Sequence, residues 1–344
     1  MMTLIGRGPR NLITDIDGLM VGCASDDALK SGVTVITGDT PFTAAVHVMG
    51  GAPGSRETDL LAPDKLVNQV DAIVLSGGSA HGLEAASGVM AALHQAGRGY
   101  MVGDQNVPIV PAAILFDLLN GGDKSWTQNP YADLGAAALA NASTDITLGS
   151  HGAGVGATTA TVKGGLGSAS VALDKGVMVG ALMAANPVGT VLCPDSNRFW
   201  GAAWECDDEY GGLGLPQPRH PFALTTKQPQ GARENTVIGV VATNLALDKA
   251  ALTRLAVAAH DGLARAVVPS HTPLDGDMIF AISTGQHHFT PSPLDLAALG
   301  HAAAVSVTRA ISRAIWHATP AAGDILPVAK DVINAHDLSS GSSS

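Results

Sequence analysis

GGLGLPQPRHPFALTTKQPQGARENTVIGVVA, residues 211–242, joins two stretches of opposite character. Residues 211–235 are rich in Pro, Gly and polar side chains and show no period. A loop of that length is unusual inside a compact domain and is often functional. At Thr236 the pattern changes abruptly: Thr236-Val237-Ile238-Gly239-Val240-Val241-Ala242 reads as a strand of buried type. A Thr at the start of a strand is ordinarily a matter of β-propensity. The same junction is also what an N-terminal Thr nucleophile requires, namely a long segment that can leave once the peptide bond breaks and a rigid strand that holds the hydroxyl still. Asn235-Thr236 is therefore a candidate cleavage site and Thr236 a candidate nucleophile, with the plain strand start as the competing reading.

Outward from this junction the chain alternates short strands and helices without a strict βαβ rhythm. Val33–Ile36 and Ala44–Met49, separated by Gly38-Asp39-Thr40-Pro41, read as a hairpin. Asp71–Leu75 is a short apolar strand, and Ser76-Gly77-Gly78-Ser79 turns it into an Ala-rich helix over about Leu83–Ala96. Ser168–Leu173 and Val177–Ala185 read as two strands around Asp174-Lys175-Gly176. Asp248 caps a helix with Leu252, Leu255, Ala256, Ala259 and Leu263 on one face. Asp275-Gly276-Asp277 leads into the strand Met278–Ser283, and Ser292-Pro293 opens a last helix running to about Ala318. The Ser/Gly tail, Ser339–Ser344, is expected to lack structure. These elements predict layered α/β packing around a largely mixed sheet.

Composition narrows the class. Of 344 residues 46% are hydrophobic and only 14% charged, so much of the chain must be buried. Aromatics make up 4% and glycine reaches 41 residues, which favours thin, closely packed layers. The net charge of −11 comes with no basic stretch, arguing against nucleic acid and against an anionic membrane surface as partners. The three cysteines, Cys23, Cys193 and Cys206, are widely spaced and form no CxxC, so neither a zinc site nor a disulfide framework is expected and a reducing cytoplasm fits best. Residues 1–10 contain no continuous apolar run of the signal-peptide kind, and no uncharged apolar stretch approaches the ~20 residues of a spanning helix.

Several motifs admit both a functional and a structural reading. The turn SGGSAHG at 76–82, with Gly78 and Ser79 at its centre, can line a site through its backbone N–H groups. It is neither GxGxxG nor a Walker loop, and His81 spoils a GxSxG elbow, so a structural turn is the stronger reading. In GAGVGATTATVKGG, residues 152–165, Lys163 is a lone cation among small residues: a snorkelling surface side chain or a site residue. Asn186 in Asn186-Pro187-Val188-Gly189 can donate to a developing oxyanion or simply make a turn. Asp275 and Asp277, two apart, face one side of an extended chain and can orient one ammonium or hydroxyl. A calcium loop is absent, and His287-His288 is too little for a metal, so no metal and no organic cofactor are expected.

Taken in order, GGAPGSRETDLL (50–61), LSGGSAHGLEAASGV (75–89), KGGLGSAS (163–170), NPVG (186–189), ENTVIGVVATN (234–244) and DGDMIFAISTG (275–285) resemble the self-cleaving aminopeptidase/D-esterase (DmpA-like) peptidases, in particular their nylon-oligomer hydrolase branch. The resemblance spans roughly residues 10–320. It implies a single-domain α/β fold, a four-layer αββα sandwich of the DmpA/ornithine acetyltransferase type. It also implies a cut between Asn235 and Thr236, leaving an α chain of residues 1–235 and a β chain of 236–344. By position it makes Thr236 the nucleophile, Asn186 the oxyanion donor, and Lys163, Asp275 and Asp277 the polar network around the nucleophile. One position departs: through ILFDL at 114–118, Phe116 stands where the family has a tyrosine, and phenylalanine offers no hydroxyl donor. A small amide or peptide substrate and a homo-oligomer, a tetramer by resemblance, are further implications. Acyl transfer at the same Thr236, a Ser79 hydrolase without self-cleavage, and an uncleaved non-catalytic binding protein are the alternatives.

Overall fold

A computed structural model describes residues 1–220, 222–227 and 235–341. In chain order its main elements are β1 (Leu4–Gly6), β2 (Leu19–Asp26), β3 (Ser31–Val48), β4 (Ser55–Arg56), β5 (Gln69–Ser76), α1 (Glu84–Gln95), β6 (Tyr100–Val102), β7 (Gln105–Val107), β8 (Ala112–Ile114), α2 (Tyr131–Ala140), β9 (Gly165–Leu173), β10 (Met178–Asn186), β11 (Thr236–Leu245), α3 (Lys249–Ala266), β12 (Met278–His287), α4 (Pro293–Trp316) and α5 (Ala329–Gly341). The strands pair in the order β1-β9-β10-β11-β12-β3-β5-β8-β4, with β2 on β3 and a separate β6-β7 ribbon.

Three apolar layers separate four layers of secondary structure. Helices α3 and α4 cover the outer face of β10 and β11, where Leu252, Ala256, Leu263, Ala303 and Ile311 meet Val179, Ala181, Met183, Val237 and Val241. The alternate residues, Leu182, Ala184, Ile238 and Val240, face the opposite way, against Ile36, Ile73 and Leu75 of the second sheet. That sheet's far face, Val33, Val35, Ala72 and Val74, packs on Val89, Leu93, Tyr131 and Ala138 of α1 and α2. Each central strand thus has both faces buried, which is why VIGVVA carries no polar alternation. The result is the αββα sandwich, with a mixed sheet in which β11 and β12 run parallel and their other neighbours antiparallel. Small residues allow the close spacing: a Cβ on Gly262 of α3 would stand 2.1 Å from the Ala304 carbonyl oxygen of α4, so the two helices touch there through backbone.

The strand and helix expectations for 69–95, 165–186 and 236–316 match the observed elements to within a few residues, and Asp248 caps α3 by accepting from Ala251 N–H at 2.8 Å. Two expectations fail. Residues 33–49 are not a hairpin but one 18-residue strand, β3, which leaves one sheet and enters the other. Its first half pairs with β2 and β5 and its second half with β12, and the register slips between Thr37 and Phe42. Gly38-Asp39-Thr40-Pro41 marks that crossing, where Pro41 costs no ladder bond because that stretch of the β3–β5 pairing is open. The tail is also more ordered than expected: α5 runs to Gly341, and only 342–344 lie outside the described residues.

Candidate active site

Thr236, the first residue of β11, stands directly across from Asn186, the last residue of β10. Both are buried. The preceding peptide is clamped: Asn235 N–H donates to Leu274 O at 3.0 Å, and Gly276 N–H donates to Asn235 O at 2.7 Å. The Thr236 hydroxyl also donates to Asn235 O, at 2.5 Å. One carbonyl therefore receives a backbone N–H and the hydroxyl that follows it in sequence. Residues 211–220 and 222–227 form no regular element, as expected of the loop, and residues 228–234 lie outside the described residues.

The Asn186 carboxamide is oriented by unambiguous partners. Its Oδ1 accepts from Thr158 N–H at 2.9 Å, and its Nδ2 donates to the Phe116 carbonyl at 2.9 Å. A backbone donor on one side and a backbone acceptor on the other fix which atom is oxygen. Among the described residues its Nδ2 donates to Phe116 O alone, and the second N–H donor is uncommitted. Phe116 thus serves the site through its main-chain carbonyl, which any side chain would permit. Lys227, in the loop before the junction, adds a cation: its Nζ lies 2.6 Å from Asn235 Oδ1, 3.1 Å from Asn186 Oδ1 and 3.4 Å from Asn186 O.

Asp275 and Asp277 flank Gly276 but do not converge on Thr236. Asp275 accepts from Val188 N–H at 3.0 Å and from the Thr272 hydroxyl at 2.6 Å and N–H at 3.1 Å. Asp277 accepts from Val237 N–H at 2.8 Å and from His271 N–H at 3.0 Å. His271 Nδ1 is 2.9 Å from the same oxygen but off the hydrogen-bonding direction, so the backbone N–H is the bond that holds it. Burial, then the neighbouring Asp277 charge, pushes the Asp275 pKa above the ordinary carboxylate range, against its Thr272 and Val188 bonds. The pair positions the main chain on both sides of the junction, and the glycine between them reaches the Asn235 carbonyl.

Lys163 is buried, yet its ammonium points elsewhere, to Asp324 Oδ2 at 2.7 Å and Thr319 O at 3.0 Å. Lys30 holds the other oxygen of Asp324 at 2.6 Å. Burial alone would raise the Asp324 pKa, but the two ammonium groups and the Ala321 N–H hold it below the usual range. Lys163 is joined to the site through the Thr158 bridge and a small cavity whose walls include Asn120, Gly156, Thr158 and Ile325. Those four residues also line the neighbouring cavity over Asn235, together with Phe116, Asp117 and Lys227. Gly78 and Ser79 line neither. The Gly78 N–H instead donates to Asp117 Oδ1 at 2.7 Å, and a Cβ there would meet the Tyr131 ring at 2.1 Å. The turn reaches the cavity over Asn235 through Asp117, which lines it. A much larger groove, about 750 Å³ between α3 and α4, contains none of these residues.

Residues 11–325 match the model of peptidase family S58. The chain belongs to that family. An S58 assignment makes it a hydrolase of peptide or other amide bonds and agrees with the resemblance drawn from its motifs. It is 42% identical over 343 residues to an uncharacterized aminopeptidase of Mycobacterium tuberculosis, covering 94% of this chain and 98% of that one. It is 30% identical over 299 residues to a 6-aminohexanoate-oligomer endohydrolase of Kocuria sp., covering 83% and 78%. The fold matches the L-aminopeptidase D-Ala-esterase/amidase of Ochrobactrum anthropi, described as a new variant among the Ntn hydrolase fold, with a TM-score of 0.68 at 24% identity and coverage of 97% and 95%.

Three residues that the structure gathers around Asn235 and Asn186 have little signal in the sequence. Thr158 sits unmarked in a glycine-rich run, and Gly276 acts through its backbone alone. Lys227 is one polar residue in a loop, and its place nine residues before Thr236 is the clue that the sequence offers.

Proposed function

We propose that the protein is an N-terminal-nucleophile amide hydrolase that activates itself by cutting between Asn235 and Thr236. The observation that carries this reading is the double engagement of the Asn235 carbonyl by Gly276 N–H and the Thr236 hydroxyl. In the self-cleavage step the Thr236 oxygen bonds to the Asn235 carbonyl carbon, the carbon–nitrogen bond breaks, and the hydroxyl proton ends on the departing Thr236 nitrogen. Negative charge builds on Asn235 O while that carbon is tetrahedral, and the Gly276 N–H already lies at the distance of an oxyanion donor. Water then hydrolyses the ester, giving an Asn235 carboxylate and a free Thr236 amine.

A free α-amine has a reference pKa of about 7.7–8.0, so near neutral pH it can serve as base to its own hydroxyl. Asn186, one amide hydrogen uncommitted, supports the oxyanion of the substrate carbonyl, and the acyl group passes through an ester on Thr236 to water. Asp275 and Asp277 hold the strand ends around the amine and favour its ammonium form; the Lys163–Asp324–Lys30 cluster closes the adjoining cavity. The names of the relatives point to peptides with a free amino end or to ω-amino-acid oligomers as substrates. Intact-mass analysis tests the reading: chains of residues 1–235 and 236–344 are expected, and a single uncut mass after long incubation at neutral pH would refute it.

A further inference from the structure

Lys227 is tied to the junction at both ends. Its N–H donates to Val188 O at 3.0 Å, and Val188 N–H is in turn held by Asp275. Its ammonium reaches back over the strand ends to Asn235 Oδ1, Asn186 Oδ1 and Asn186 O. The shortest of these contacts, 2.6 Å, is to the side chain of the residue whose carbonyl is attacked. Charge-assisted bonds of this kind are shorter and stronger than neutral ones. Lys227 therefore adds an anchor on the Asn235 side chain to the backbone bonds that Asn235 makes with Leu274 O and Gly276 N–H. By accepting from the same ammonium, Asn186 Oδ1 is locked so that Nδ2 keeps facing the site.

We infer that Lys227 is a positioning residue for self-cleavage: its ammonium fixes the Asn235 and Asn186 side chains so that the scissile carbonyl stays seated on Gly276 N–H beside the Thr236 hydroxyl. This rests on the reading that the chain cuts itself at that bond. The ammonium also sits on the residue whose carbonyl oxygen turns negative, so its charge favours the tetrahedral state over the resting peptide. Lys227 belongs to the segment upstream of the cut, which places a residue promoting processing in the linker itself.

The test follows self-cleavage of freshly folded precursor by intact mass for the parent, Lys227→Met, Lys227→Arg and Lys227→Ala. Losing a hydrogen bond to a charged group slows the cut of the Met variant by about ten- to a hundredfold. Because Met keeps the length and apolar stem of lysine, its fold, checked by circular dichroism and thermal unfolding, should match the parent. Arg should restore most of the rate, and ethylammonium chloride should speed the Ala variant beyond what sodium chloride does at equal ionic strength. Restoration by either route supports the inference, because packing alone responds to neither. A Met variant that cuts at the parental rate overturns it, as does a loss that neither Arg nor ethylammonium repairs. A parent that stays uncut in the same assay refutes the self-cleavage reading instead.

Discussion

Gly276 offers the sharpest test of the junction, because its contribution is a backbone N–H that no substitution deletes but a single methyl can displace. A Cβ built on Gly276 would lie 2.5 Å from the Ala52 carbonyl oxygen, 2.8 Å from the Thr236 hydroxyl oxygen and 3.1 Å from Pro53 Cα. Real Cβ contacts essentially never fall below 3.0 Å, and two of these neighbours are backbone atoms in a clamped loop, where Ala52 N–H itself donates to Asp275 O at 2.9 Å. In Gly276→Ala, residue 276 must therefore move away by several tenths of an ångström. The 2.7 Å bond to Asn235 O has little room to lengthen before it leaves hydrogen-bonding range, about 3.2 Å. Loss of one oxyanion donor slows a reaction by about 10²–10³-fold. The expected result is a folded precursor that cuts itself slower by about that factor, followed by intact mass over time. Gly6→Ala, where an added Cβ meets nothing within 4 Å, is the matched control and should process normally. Parental processing by a folded Gly276→Ala protein would remove Gly276 from the oxyanion role and leave the short contact a feature of packing alone.

Further outcomes follow from the same geometry. Thr236→Ala should remain uncut and inactive while Thr236→Ser retains some of both; an alanine variant that still processes would place the nucleophile elsewhere. Asn186→Ala, measured on processed enzyme, should lower turnover by about 10²–10³-fold, and an unchanged rate would return Asn186 to a turn role. Asp277→Asn sets an amide donor against the Val237 or His271 N–H. It should cost about 1–3 kcal/mol in urea unfolding and shift the acid limb of the rate profile to lower pH, because the ammonium loses an anionic neighbour; parental stability and profile would refute this. Burial pushes the Asp117 carboxyl up to about 6, against its Ser31 and Gly78 bonds. Since its folded pKa lies above the unfolded value of about 3.9, its contribution to stability is complete below that value and is lost as pH rises through about 6. A carboxyl carbon NMR titration of Asp117 with a midpoint near 4 would contradict it.

Much of the molecule was legible in the sequence because local rules decided it. The buried strand at 236, the Asp248 and Ser292 caps and the strands at 69–76 and 165–186 follow from periodicity and capping chemistry that neighbours in sequence supply. The β3 reading failed for the complementary reason: Val33–Ile36 and Ala44–Met49 have the composition of two hairpin strands, and nothing in the residues says that their partners are β5 and β12 and not each other.

The site divides in the same way. The sequence by itself determined that a polar loop ends at a buried Thr236, that Asn186 closes an apolar strand, and that two carboxylates flank one glycine. Only the tertiary structure decided what these groups touch. Strand pairing set Asn186 opposite Thr236, the parallel bridge of Asn235 to Asp275 delivered the Gly276 N–H to the Asn235 carbonyl, and Lys163 went to Asp324 while Lys227 came in from the loop. A side chain's identity fixes the bonds it can make, but which bond it makes depends on the groups that folding brings within about 3 Å, and those come from residues distant in sequence.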